Sequence, residues 1–269
     1  MNIFNDEKLS NYFSKYGYVV IENFIDINES SKIEKFYKDT EKETGLNENF
    51  YTTIWSNNRN HRANVNKFLV DILYPKTKKY LKEYSPVFSN FMVKKNGENS
   101  MLGFHQDWTF SDDYNYPALN LWVTLSDLTN NNGPLKIIPK SHKIKTPIRA
   151  RNLKSDLEKI PDFVLNYFSK KLLLKKGDAV FFHENLIHAS DNNLSNEIRL
   201  AVSLVLHHAN TNLIHYIYSN NSLRKKNVNY SFFTENSLQE DFKKDESFTI
   251  EVNTNTKHLL LNLLYNKFK

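Results

Sequence analysis

The chain has 269 residues, a formal net charge of +6, 40% hydrophobic residues and no cysteine. The missing cysteines exclude disulfides, zinc–thiolate sites and cysteine nucleophiles, and the apolar share is sufficient for a packed core. The basic residues are dispersed, which favours a solvated surface over a nucleic-acid interface. The amphipathic start lacks a signal-peptide core and no apolar run approaches about 18 residues, so we expect a cytoplasmic protein without membrane contact.

Helices around one strand are predicted for the first third of the chain. Helical periodicity covers residues 6–16, 28–43 and 62–84, and "YVVIENFI", after a helix-ending Gly17, predicts a strand. From Pro86 onward, short apolar runs alternate with Asn, Gly, Pro and Asp turns, which is typical of an all-β barrel or sandwich. A helical stretch near 152–169 interrupts these strands, and "KHLLLNLLYNKFK" predicts a closing helix.

The stretch "GFHQDWTF" places His105 and Asp107 two positions apart. Alternate residues of a strand project to the same side, so the pair could hold a metal ion, or it could be an ordinary polar pair. A facial triad of two imidazoles and one carboxylate would need a third ligand from a distant segment.

The third ligand is sought in "GDAVFFHENLIHASDNNLSNEIRL", which contains His183 and His188. His188 is the better candidate because Ser190 shares its face and Arg199 follows at the start of an apolar strand. His183 remains the alternative ligand, with a place near the cavity mouth if it does not bind metal.

The strand "IRLAVSLVL" has two unlike faces. The aliphatic face is suited to packing, whereas the other carries Arg199 followed by small residues and leaves room for a ligand. A buried guanidinium needs an anionic partner, and no nearby acidic residue obviously shares its face. A dicarboxylate would supply the missing charge through a two-point contact.

These motifs resemble the phytanoyl-CoA dioxygenase (PhyH-like) family of iron(II)- and 2-oxoglutarate-dependent oxygenases over about residues 8–208. The resemblance rests on "HQD", on Trp122 in "LNLWVTLSD", on "NNGPLKIIPKSHK", and on "HAS" followed by Arg199. Lys140 stands where glycine is usual in that family. The resemblance implies a mainly β fold, a double-stranded β-helix (jelly-roll, cupin-like barrel) with flanking α-helices.

Carried over residue by residue, the resemblance implies that His105, Asp107 and His188 ligate iron and form the catalytic centre. Arg199 would hold the distal 2-oxoglutarate carboxylate with help from Ser190. Further cosubstrate contacts would be Trp122, Gln106 and Met92, and more weakly supported substrate contacts are Trp108, Tyr114, Tyr116 and His183.

The chain is expected to be one dioxygenase domain, residues 1–269. Residues 1–85 would support a jelly-roll core of about 86–208, and an extension over 209–269 would form a lid or an oligomer contact, which leaves a homodimer open. The expected reaction is hydroxylation of an unactivated C–H bond in a small, polar metabolite for biosynthetic tailoring. It would use Fe(II), 2-oxoglutarate and O₂, with ascorbate as a stimulant, and release succinate and CO₂.

Alternatives to hydroxylation stay open. Desaturation or cyclisation would use the same centre, whereas Asp107 disfavours halogenation, because related halogenases have a small residue there. A non-catalytic or differently metallated jelly-roll module is the rival from another class, and a nucleic-acid oxygenase is suggested only by the positive charge.

Overall fold

The computed structural model describes residues 3–113, 115–144, 148–150, 153–219, 222–236 and 248–250. In these ranges the α-helices are α1 Glu7–Tyr16, α2 Ile27–Thr40, α3 Arg59–Thr77, α4 Asp162–Phe168 and α5 Phe232–Glu235. The strands are β1 Tyr18–Ile21, β2 Phe50–Thr52, β3 Tyr84–Lys94, β4 Leu102–His105, β5 Leu119–Thr124, β6 Leu135–Ile137, β7 Lys170–Leu172, β8 Ala179–His183, β9 His188–Ser190, β10 Arg199–His208, β11 Ile214–Ser219, β12 Ser222–Asn227 and β13 Phe248–Ile250.

Local sequence explains the limits of α1. The Asp6 side chain accepts hydrogen bonds from the backbone N–H groups of Lys8 and Leu9, which caps the first turn. Gly17 ends the helix at a φ of 84°, in the left-handed region that glycine adopts without strain. A Cβ at this position would also lie 2.4 Å from Nδ1 of His142, so the turn into β1 requires glycine.

Two antiparallel sheets form the barrel. The larger sheet has the order β1-β8-β5-β10-β3-β2 and the smaller one has the order β4-β9-β6-β7. These sheets, with helices packed outside, confirm the predicted jelly-roll fold with flanking helices. Each metal-binding motif of the sequence lies on or next to the smaller sheet, and Arg199 begins a strand of the larger one.

Strand β10 has the two faces that its sequence predicts. Its aliphatic face, with Leu200, Val202, Leu204 and Leu206, belongs to the core between the large sheet and the helices. Arg199, Ser203 and Val205, by contrast, line a cavity inside the barrel. Burying an aliphatic side chain contributes about 1.5–3 kcal/mol, so the outer face ties the strand to the helices.

Several elements differ from the prediction. Helix α3 begins at Arg59 and ends at Thr77, because β3 already starts at Tyr84. Strand β4 ends at His105, so Asp107 lies just beyond the strand rather than within it. The sequence did not predict β2 or the separate sheet β11-β12-β13. β2 and β13 have three residues each, and β11 and β12 show no clear alternation of apolar and polar residues.

The predicted closing helix over 257–269 lies outside the described residues. None of the helices in the described part of the chain is long and apolar enough to span a membrane.

Candidate metal centre

His105, Asp107 and His188 converge inside the barrel. One potential ligand atom from each lies within 4.8 Å of the others, although 81 positions of sequence separate Asp107 from His188. Strands β4 and β9 cause the convergence, because they pair antiparallel with His105 opposite His188. The two rings are 4.1 Å apart between centroids, and Oδ1 of Asp107 is 3.7 Å from Nε2 of His188. Two imidazoles and one carboxylate are the donor set of a facial triad, which suits iron(II).

Backbone contacts orient both histidine rings. Nδ1 of His105 lies 2.8 Å from the carbonyl oxygen of Gly103, and Nδ1 of His188 lies 2.9 Å from that of Leu186. With the Nδ1–H groups donating to these carbonyls, each ring presents an unprotonated Nε2 as a metal ligand. Burial, and next the charge of His188, lowers the pKa of His105 to about 4, so this ring is neutral at physiological pH.

Asp107 is held although it lies beyond the end of β4. Its backbone N–H donates to the carbonyl of Glu184, 3.1 Å away, in the loop between β8 and β9. Its Oδ2 accepts a hydrogen bond from Nδ2 of Asn120, 3.2 Å away on β5. The sequence predicted that Asp107 would be positioned as a residue of the strand. A hydrogen bond to the loop between β8 and β9 positions it instead.

Arg199 is a buried cation with unsatisfied donors. It is 2% exposed, and its Nε and Nη1 find no hydrogen-bond partner among the described residues. The guanidinium lies 5.6 Å from the ring centroid of Trp122, and burial lowers the pKa of Arg199 to about 9. An anion would stabilise a buried guanidinium with such unsatisfied donors. A carboxylate is suitable because its two oxygens match two N–H groups of the guanidinium. The group expected from the sequence, a dicarboxylate, therefore fits the site.

Lys94 is a second basic residue at this end. It pairs with Arg199 in the register of β3 and β10 and is fully buried. Its Nζ donates to the carbonyls of Ser190, at 3.3 Å, Asp191, at 2.8 Å, and Ser100. Burial and the charge of Arg199 lower the pKa of Lys94 to about 6. Lys94 therefore connects the residues just before β4 with the residues at the end of β9. These two strands carry His105 and His188.

One cavity of about 230 Å³ contains the triad and Arg199. The residues expected at the cosubstrate, Ser190, Trp122, Gln106 and Met92, all line it, as does Trp108 among the expected substrate contacts. The residues present therefore fit an iron ion with a dicarboxylate beside it: two imidazoles, one carboxylate and a guanidinium whose Nε and Nη1 have no partner among the described residues meet in one space.

Two of the expected substrate residues lie elsewhere. The ring of Tyr116 stacks on that of His208 at 4.3 Å and is not part of the cavity lining. His183 does not line the cavity either: its Nδ1 accepts from the backbone N–H of Asn185, and its ring stacks near Phe13. The tight turn between β8 and β9 points this ring toward α1, away from the cavity mouth where the sequence placed it. Tyr114 lies outside the described residues.

Sequence reasoning missed three residues at the centre. Asn120 and Ser203 form a chain of hydrogen bonds toward Asp107, with Ser203 Oγ 2.7 Å from Asn120 Oδ1. Lys94 donates to the backbone carbonyls of Ser100 and Asp191, next to the strands that carry the two histidine ligands. For Asn120 and Ser203 the signal was a polar residue between apolar neighbours, in "LNLW" and "AVSLV". Lys140, which replaces the usual glycine, has a φ of 71°, so the turn keeps a glycine-like conformation.

A family model described as phytanoyl-CoA dioxygenase (PhyH) matches residues 13–201. A phytanoyl-CoA dioxygenase 1 of Oryza sativa subsp. japonica is 32% identical over 147 residues, which cover 53% of this chain and 49% of that protein. An L-proline trans-4-hydroxylase of Streptomyces griseoviridis is 31% identical over 142 residues, covering 45% and 53%. The chain thus spans about half the length of these relatives.

The fold has relatives among solved structures. The epimerase SnoN, in complex with Fe³⁺, alpha ketoglutarate and nogalamycin RO, superposes with a TM-score of 0.57 at 18% identity, over 77% of this chain and 85% of that one. At this identity the likeness shows a shared fold.

Proposed function

The chain belongs to the phytanoyl-CoA dioxygenase (PhyH) family, and from that premise we propose that it is an iron(II)- and 2-oxoglutarate-dependent oxygenase acting on a small molecule. The proposed reaction is hydroxylation of an unactivated C–H bond with release of succinate and CO₂. The observation that carries the proposal is the guanidinium of Arg199, whose Nε and Nη1 have no hydrogen-bond partner in the described part of the chain, in the same cavity as the His105–Asp107–His188 cluster. A structural arginine at this depth would have a protein acceptor.

Each residue has a defined task in this proposal. His105, Asp107 and His188 would hold the ion, and a three-residue donor set of this kind would leave room for further ligands. Arg199 binds the distal carboxylate of 2-oxoglutarate, and Ser190, in the same cavity, assists. Bound iron, with 2-oxoglutarate and O₂, supplies the oxidising power for the attack on the C–H bond. His188 is buried, and His105 and Asp107 are half-buried, which limits the contact of the reacting groups with bulk water.

We also propose that residues 1–269 act as one catalytic domain, with the segment after β10 packed behind the cavity wall. The N–H of Ile214 donates to the carbonyl of Phe110, 3.0 Å away, and Leu213 forms a bridge with Ser111. Phe232 and Phe233 pack in the same cluster as Phe110, which lines the cavity. These contacts favour a fixed wall over a separate module.

The test is formation of succinate from 2-oxoglutarate by the iron-loaded protein with ascorbate and O₂, in the absence of another substrate. We expect slow succinate release that Asp107→Ala abolishes, because the variant lacks the carboxylate ligand. Release at the same rate in both proteins would contradict the proposal and support a binding module without oxygenase activity. Charge-changing variants at exposed Arg59 provide a control, since this side chain is 66% exposed.

A further inference from the structure

Residues from both ends of one face of β10 line the cavity. Arg199 lies at one end, and Ala201, Ser203 and Val205 follow at every second position on the same face. Six residues of strand span about 20 Å, at roughly 3.3 Å per residue. Strand β3 runs antiparallel beside it, so Asn90 is opposite Ser203 and Phe88 is opposite Val205. The cavity therefore has a cationic end at Arg199 and a second end at Val205 and Phe88.

The second end is apolar. Six side chains line it, and none is charged: Ile54, Trp55, Phe88, Trp108, Phe110 and Val205. Apart from the triad and Arg199, the described lining residues of the whole cavity include no ionisable group. If Arg199 binds the cosubstrate, no cation or carboxylate remains in the lining to pair with a charged substrate group.

The aromatic wall is supported from behind. The ring centroids of Phe88 and Phe110 are 5.9 Å apart, and Phe233, fully buried, lies 5.1 Å from Phe88 and 5.5 Å from Phe110. Rings in contact at these distances form a closed apolar cluster. Because these phenylalanine rings hold each other in place, the wall is preformed. A rotation of their side chains would expose no polar atom to the cavity.

Most of the polar groups midway along the cavity already have hydrogen-bond partners within the protein. Ser203 donates to Asn120, which donates to Asp107. Thr52 donates to Oδ1 of Asn90, so the amide nitrogen of Asn90 is left as a donor, with no acceptor recorded among the described residues. This nitrogen is suited to one neutral oxygen, such as a carbonyl or hydroxyl group.

We infer, on the basis of the proposed function, that the substrate presents to the metal an uncharged, mainly hydrocarbon group with one oxygen that accepts a hydrogen bond from Asn90. An unpaired charge among these rings would lose its hydration without compensation, which makes its burial unfavourable. The sequence led to the expectation of a polar metabolite. The lining instead restricts polar or charged parts of the substrate to positions outside the second end.

Tryptophan fluorescence offers a direct test. The chain has three tryptophans, and all three, Trp55, Trp108 and Trp122, line this cavity. The protein is loaded with iron(II) and saturating 2-oxoglutarate without O₂ and titrated with cyclohexanecarboxamide, cyclohexanecarboxylate or L-proline. The first two probes share one hydrocarbon ring and differ in charge. We expect the carboxamide to bind at least about tenfold more tightly than either charged probe.

Equal or tighter binding of the carboxylate or of L-proline, or no fluorescence response to the carboxamide, overturns the inference. The fluorescence change on adding 2-oxoglutarate itself is a separate measurement, because Trp122 lies beside Arg199. If 2-oxoglutarate binds but the carboxamide is not preferred, the substrate class is wrong and the proposed function stands. If 2-oxoglutarate does not bind, the proposed function fails.

A matched pair of variants locates the probe. Val205→Ala removes methyl groups from the cavity wall, whereas Val202→Ala makes the same change on the opposite face of β10, in the helix-side core. Both valines are buried, so both variants lose stability. Only Val205→Ala should weaken carboxamide binding, by about fourfold for each methyl group that no longer touches the probe, at about 0.8 kcal/mol. Equal effects of the two variants on binding would also overturn the inference.

Discussion

The two carboxylate oxygens of Asp107 have different neighbours: Oδ2 accepts from Asn120 Nδ2 at 3.2 Å, whereas Oδ1 faces Nε2 of His188 at 3.7 Å. Ser203 holds Asn120 from the other side through a 2.7 Å hydrogen bond. One oxygen is thus engaged by the protein and the other is directed toward the histidines. Such a contact behind a ligand favours binding of the ion through a single oxygen.

Asn120→Leu should weaken iron binding by about 10- to 100-fold, the range found when a group that orients a metal ligand is removed. The leucine fills the space but cannot donate to Oδ2, so the carboxylate is free to rotate. Competition with a chromophoric chelator measures the affinity. Ser203→Ala removes only the more distant hydrogen bond, so it should weaken iron binding less. A larger loss of iron affinity in Ser203→Ala than in Asn120→Leu would show that this chain of hydrogen bonds does not orient Asp107.

Arg199→Met should remove most of the 2-oxoglutarate affinity while iron stays bound. Methionine keeps the apolar stem but has no charge for the distal carboxylate, and a buried charge pair is typically worth several kcal/mol when one partner is deleted. Quenching of tryptophan fluorescence by 2-oxoglutarate reports binding, and metal analysis reports iron. Arg59→Met, at an exposed arginine, is the control. Unchanged 2-oxoglutarate binding in Arg199→Met would exclude this role.

His188→Ala should abolish iron retention, and His183→Ala should not. Only His188 is in the donor cluster, whereas His183 accepts a backbone hydrogen bond from Asn185 and packs against α1. The iron content of both proteins after gel filtration checks this, with circular dichroism to verify the fold. Loss of iron from His183→Ala with a native spectrum would mean that the ligand assignment is wrong.

The metal-free protein should lose stability in mild acid. Burial lowers the pKa of six histidines: His61, His105, His142, His183, His207 and His208. For His142 the pKa falls from 6.5 to about 4. Between these values the unfolded chain binds more protons than the folded one, so the free energy of unfolding decreases as the pH falls from 6.5 toward 4.

Urea unfolding in EDTA at several pH values measures this dependence. His142→Gln should flatten the curve by up to one proton, or about 1.4 kcal/mol per pH unit, within that window. A free energy of unfolding that does not change below pH 6.5 would show that these histidines titrate as they do in the unfolded chain.

Much of the centre could be predicted from local patterns. The period of two in "IRLAVSLVL" identified both the packing face of β10 and the cavity face with Arg199. Strand spacing predicted the barrel, and the His-x-Asp pair with "HAS" predicted the ligands that the fold brings together. These features depend on side-chain alternation along one strand, which the sequence displays directly.

The remaining features depend on contacts between distant segments. The hydrogen bond from Asn120 to Asp107 joins β5 to the loop after β4, and the three carbonyls around Lys94 come from two separate turns. The position of the His183 ring is another example: the sequence placed it near the cavity mouth, whereas the tight turn between β8 and β9 directs it toward α1. No periodicity within a single segment contains this information.

The alternation along β10 has a practical consequence for engineering. Arg199, Ser203 and Val205 line the ligand cavity and Ala201 lies on the same face, whereas even-numbered positions from 200 to 206 face the helices. A mutant library restricted to 201, 203 and 205 would therefore sample catalytic scope, whereas one restricted to 200, 202, 204 and 206 would sample heat tolerance. The two properties could be optimised in separate rounds on the same ten-residue strand.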